Sequence, residues 1–145
     1  MATTSDGMSD YLEAAALSHF LAGGEITSPS SLLLKLFNVD PGEDGSNTSA
    51  EIGNIGAPGY VAQAIATANV SVVPDGTGHA ATLTTLVEFE ATADWSIGED
   101  PTWMGLYDNS GNLLFRGELD PITYSDMTTG KKLQFEPGSL KFKIS

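Results

Sequence analysis

The chain has 145 residues, a formal charge of −13 and no cysteine, the size of one domain able to bury a core without disulfides or metal. The missing cysteines remove disulfides, thiolate zinc sites, iron–sulfur clusters and cysteine nucleophiles together. An acidic field of this strength repels phosphate backbones and anionic lipid, so neither nucleic-acid nor membrane binding is expected; no apolar run reaches the ~20 residues of a membrane helix.

Residues 1–7 are small and polar, without the basic-then-apolar layout of a signal peptide, and a flexible arm is expected over 1–8 with one domain over 9–145. A helix follows. Asp10 is positioned to cap it with Glu13 three residues on, and Leu12, Ala16 and Phe20, flanked by Leu17 and Leu21, form an apolar stripe expected to lie buried across the rest of the fold. Gly23-Gly24 ends it.

Strand punctuation begins after Thr27. Residues 31–39 form an almost continuous apolar run closed by Asp40-Pro41-Gly42, as in a strand buried on both faces. The glycine-rich stretch 43–58 reads as a long loop, functional or disordered. Extended structure resumes at 60–66 and 70–73, before the Pro74-Asp75-Gly76 turn. Residues 82–90 alternate, with Leu83, Val87 and Phe89 on one face and Glu88 and Glu90 on the other. Asp108-Asn109-Ser110-Gly111 separates 103–107 from 112–118 and predicts a hairpin. Leu133 with Phe135, then Leu140, Phe142 and Ile144 against Lys141 and Lys143, complete two strands around Pro137-Gly138. The expected fold is mainly β: an antiparallel β-sandwich or barrel of seven to eight strands with one N-terminal α-helix. No fixed-period repeat or heptad indicates a fibrous shaft.

Chemistry-bearing residues are sparse. Only His19, expected partly buried on the helix, and His79, expected solvated in the loop at 76–78, could serve as imidazole bases or ligands. No Gly-x-Ser-x-Gly elbow accompanies the serines. Glu88 with Glu90, and Glu99 with Asp100, read as solvated surface because nothing beside them would raise a carboxylate pKa. Asp40, Glu43 and Asp44 lack EF-hand spacing, and the glycines at 53–59 lack the lysine of a phosphate loop. The expectation is therefore no enzyme, no cofactor and no metal. Trp95, Trp103 and Tyr107 could stack on sugars, but core packing is the favoured reading of them.

Up to Phe115 the only basic residue is Lys35, whereas Arg116, Lys131, Lys132, Lys141 and Lys143 crowd the last thirty positions. The acidic surface has a plain reading as solubility. A sharper one makes Lys131, Lys132, Lys141 and Lys143 assembly contacts, in which one copy's basic C-terminal region meets an acidic face of its neighbour.

Several segments stand in a particular order: Met8-Ser9-Asp10-Tyr11-Leu12-Glu13, Asp40-Pro41-Gly42-Glu43-Asp44-Gly45, Gly59-Tyr60-Val61-Ala62-Gln63-Ala64-Ile65 and Ala93-Asp94-Trp95. Met104-Gly105-Leu106-Tyr107-Asp108, Gly111-Asn112-Leu113-Leu114-Phe115-Arg116-Gly117-Glu118-Leu119 and Phe135-Glu136-Pro137-Gly138-Ser139-Leu140 follow. In this order the chain resembles a family of short tailed-bacteriophage structural proteins, the tail-fibre-like family. It departs from that family in the seven residues ahead of Met8 and in a longer, more acidic connection at 98–103. The resemblance implies a non-enzymatic virion protein, tail-associated, that assembles with itself and with other virion proteins, tail or major capsid subunits, after synthesis in the host cytoplasm. Capsid decoration and carbohydrate binding are the alternatives.

Overall fold

Turn-forming glycine, asparagine and aspartate residues cut the chain after Thr27 into short apolar segments too brief for helices and suited to a pleated, half-buried surface. A computed structural model describes residues 3–4, 7–95, 100–120 and 127–144, and in it these segments become strands. Their bounds are β1 (Thr3–Thr4), β2 (Gly7–Met8), β3 (Ser31–Phe37), β4 (Gln63–Ala66), β5 (Val70–Asp75), β6 (Gly78–Leu83), β7 (Val87–Glu90), β8 (Trp103–Asp108), β9 (Leu113–Glu118), β10 (Lys132–Phe135) and β11 (Leu140–Phe142), with helix α1 (Asp10–Ala22) between β2 and β3.

One sheet has the order β2-β9-β8-β3-β4, a second has β1-β11-β6-β5, and β7 pairs with β10 alone. All pairings are antiparallel except β1 with β11. Leu34, Leu36 and Met104 from the first sheet share one core with Leu83, Leu140 and Phe142 from the second and Phe89 and Phe135 from the ladder. The architecture is thus mainly β with one N-terminal helix, as expected, and of the two forms open, sandwich or barrel, it is two sheets packed on one core. Within the span expected as an arm, Thr3–Thr4 pairs with β11 and Gly7–Met8 with β9.

Four expectations need correction. The alternating stretch at 82–90 is two strands in different sheets, because at residue 84 both the backbone N–H and the hydroxyl of Thr84 bond to the Asn69 carbonyl (2.8 and 3.1 Å) and turn the chain out. Its first part belongs to β6, which carries His79 opposite Pro74, so His79 stands on a hairpin strand instead of a loop. The extra strands raise the number above the seven or eight expected. Residues 43–58 are an ordered plug: a turn of 3-10 helix at Thr48–Ala50 leads to Ile52 and Ala57, and Ala50, Ile52 and Ala57 are all buried.

The largest difference concerns α1. Its cap is Ser9, whose hydroxyl accepts the Leu12 N–H at 3.2 Å and itself donates to the Leu113 carbonyl, tying the helix start to the first sheet. Gly23, at φ 73°, closes the other end in the left-handed conformation. No residue of α1 is buried. Leu12, Ala15 and Ala16 are only half-buried, while Leu17, Phe20 and Leu21 are 60%, 78% and 80% exposed. The reason is geometric. Apolar residues surround this helix on every side, and a helix can lay only one side on a sheet.

Candidate assembly surface

The lysines expected to form one basic region are divided between two sheets. Lys141 and Lys143 converge on Asp75 at the end of β5, Lys141 at 2.9 Å, and the two lysine hydrogen bonds, Lys143 first, hold the Asp75 carboxyl below its ordinary 3.8. Lys132 lies on β10, 3.6 Å from Glu88, and Lys131 is an exposed neighbour whose carbonyl accepts the Ala91 N–H. Ile144 lies beyond β11 and is 72% exposed, so it does not share the burial of Leu140 and Phe142.

Arg116 on β9 takes a role that its position in the chain did not suggest. Its guanidinium binds Asp40 at 2.6 Å and Glu43 at 3.0 Å and lies 5.5 Å from the centre of the Trp103 ring. The loop carrying Asp40 and Glu43 is therefore fastened by an internal fork of charge-assisted bonds. Asp40 also accepts the Gly42 N–H (2.9 Å), and Asp44 accepts the Ser46 N–H (3.0 Å). That backbone bond, with the Ser46 hydroxyl, lowers the Asp44 pKa. Among the described residues no group of three histidine or acidic side chains is placed to hold a metal.

A second polar cluster centres on Glu51, which receives Lys35 Nζ at 3.3 Å and the Tyr60 hydroxyl at 3.0 Å; that hydroxyl accepts the Leu36 N–H. Burial first, and then the nearby Glu51 charge, push the Tyr107 phenol up to about 12. Lys35, Glu51 and Tyr60 pin the plug to β3, and Lys35 and Tyr107 line an open depression together with Asp108.

Of the aromatics, Trp95 is buried and donates its indole N–H to the Pro58 carbonyl at 3.0 Å. Tyr107 is buried against Phe37, and Trp103 is half-buried beneath Arg116. They pack, as the core reading expected. His19 is exposed, contrary to the expected partial burial, with Nδ1 2.9 Å from the Gly24 carbonyl and its ring on Phe20. Glu88 and Glu90 face Gln134 and Lys132 across the ladder, while Glu99 lies outside the described residues.

What stands open is the outer side of α1. Successive residues turn by about 100°, so Leu12, Ala15 and Ala16 fall on the sheet side, and Ala14, Leu17 and Leu21, spaced by three and four, fall opposite with Phe20 beside them. Met8, Glu13, Ala16, Leu17, Phe20 and Leu21 line a shallow apolar groove on the flank between this side and the sheet side. The stripe was legible, but its burial was assumed; the available signal was a helix with no polar face.

A family model described as podophage GP4 fiber I protein gp80 matches residues 7–143. The chain belongs to this family of phage fibre proteins. The match starts at β2, runs through α1 and both sheets, and ends at Lys143, so the exposed helix and the Asp75 lysine clamp lie inside the shared region. A virion role as a tail-fibre-like structural protein follows from that membership. No curated protein matches the chain.

Proposed function

We propose that the chain is a non-enzymatic, tail-associated component of the virion that works by docking to other virion subunits through the outer side of α1. The observation that carries this reading is the helix itself. A 13-residue helix is marginal in water on its own, and this one keeps Leu17, Phe20 and Leu21 in solvent. Exposed apolar stretches of this kind mark contact surfaces. The non-enzymatic part is supported by chemistry: the two histidines are exposed on separate elements, and Asp40, Glu43, Glu51, Asp75 and Glu88 face cations of the same chain. Immunogold labelling of intact particles tests the reading. Label confined to the tail supports it. Label spread over the head favours capsid decoration, and no label on purified particles rejects a virion role.

A further inference from the structure

Resting on that reading, we infer that the cleft between the first turns of α1 and the segment 25–29 holds a basic side chain, arginine or lysine, of the virion subunit on which the chain docks. Tyr11, Leu12 and Ala15 place this cleft on the flank of α1 opposite the apolar groove, so a subunit covering the outer side reaches its mouth. Its volume is about 250 Å³, below the ~300–1,000 Å³ of small-molecule sites, which suits a single side chain. The lining has two chemistries. Leu12, Ala15 and Leu114 give an apolar floor, while Tyr11, Glu25 and Asp108 bring an aromatic ring and two carboxylates. Lysine and arginine have the matching form, an apolar stem that lies along apolar surface and a charged head beyond it, and an aromatic ring is a favourable neighbour for that head.

Charge selects the occupant. Asp40, Glu43, Glu51, Asp75 and Glu88 each face a cation of their own chain. Among the described residues no such cation faces Asp108 or Glu25. Asp108 takes its hydrogen bonds from neutral donors, the N–H groups of Ser110 and Asn112 at 2.9 and 2.8 Å and the Asn112 amide at 2.9 Å, so its carboxylate is fixed in place with its charge unmatched. The chain has no lysine or arginine before Lys35, and Lys35 is bound to Glu51. A partner's cation therefore completes what the chain leaves open. At Tyr11 and Asp108 the cleft joins a second depression, where Ser28, Ser30, Asn109 and Ser110 present hydroxyls and an amide. Such groups bond main chain on either side of a seated residue, which makes the occupant a protein segment and not a free amine.

Titration of the full chain with butylguanidinium, followed by NMR, tests the cleft. Saturable shifts are expected at Tyr11, Glu25 and Asp108, and none with butylurea, the neutral isostere. Glu25→Gln should weaken binding about two- to fivefold, as for one part-exposed charge pair, and Asp108→Asn about tenfold, as for a hydrogen bond to a charged group. Glu136→Gln removes the same charge from an exposed site elsewhere and should bind as the wild type. The peptide acetyl-Ser-Arg-Ser-amide should bind severalfold more tightly than butylguanidinium. Equal affinity overturns the protein occupant, and no saturable shift, or equal weakening by Glu136→Gln, overturns the site. On particles, Glu25→Lys should be depleted at unchanged melting temperature. Wild-type copy number of that variant, with label confined to the tail, sinks the basic contact alone; absence of the wild-type chain from particles sinks the virion role.

Discussion

Lys141 Nζ lies 2.9 Å from Asp75 Oδ1, which joins the last strand to the tip of the β5–β6 hairpin and makes a lysine expected to face a neighbour part of its own domain. Lys143 reaches the other oxygen of the same carboxylate. Two lysines on one carboxylate lower its pKa, with Lys143 the larger influence. A folded-state pKa below the unfolded value contributes stability that is complete above the unfolded value of about 3.9 and is lost as pH falls through the folded one. Acid titration of thermal stability should therefore fall less steeply below about pH 4 in Asp75→Asn than in the wild type. Parallel curves would show that the clamp contributes nothing.

Arg116 ties the first sheet to the loop after β3. Arg116→Ala should lower stability by about 1–2 kcal/mol, between the values for buried and exposed ion pairs, because Asp40 and Glu43 stay partly in water. Arg116→Lys should recover less than half, since an ammonium cannot span both carboxylates as the fork does. Urea midpoints for the three proteins measure this, and full recovery by lysine would contradict it.

Trp95 should report a dry environment. Its emission should be blue-shifted and shielded from iodide, leaving Trp103 as the quenched indole, and titration with host glycans should leave both unchanged. Trp95→Phe removes the indole N–H from the Pro58 carbonyl, which keeps its bond from the Thr92 N–H, so the lost hydrogen bond should cost about 0.5–1.5 kcal/mol. A saturable, sugar-dependent signal would support the carbohydrate-binding alternative.

The glycines at 53–59, which matched no phosphate loop, act in packing. Gly59 has φ +80°, and a Cβ there would stand 2.6 Å from Thr92 N and 2.8 Å from the Glu90 carbonyl oxygen. Gly59→Ala should cost more than the ~1–2 kcal/mol of the left-handed backbone alone, read as a fall in melting temperature. A neutral substitution would mean that β7 shifts freely to make room.

Local pattern made much of the fold readable. The 108–111 turn formed as its residues indicated, with Asp108 Oδ1 accepting the N–H groups of Ser110 and Asn112; burial tends to raise that carboxyl, but these bonds and that of the Asn112 amide outweigh it. Leu32, Leu34 and Leu36 went into the core as the apolar run implied. β6 was missed because Gly-His-Ala-Ala-Thr-Leu has small side chains and little alternation, and its strand character comes from pairing with β5 and β11. Long-range ion pairs were illegible for a related reason. Arg116 and Asp40 are 76 positions apart, and only the sandwich brings them together. The helix was the reverse case: periodicity located the stripe but did not say whether the chain's own sheets or another subunit would cover it.

Incorporation of Leu17→Ser/Leu21→Ser into phage particles, measured as copies per particle beside its melting temperature, tests the assembly role of α1 most directly. Both side chains already stand in water, so the variant should fold with wild-type stability and be strongly depleted from particles. Incorporation at wild-type copy number by an equally stable variant would contradict the account.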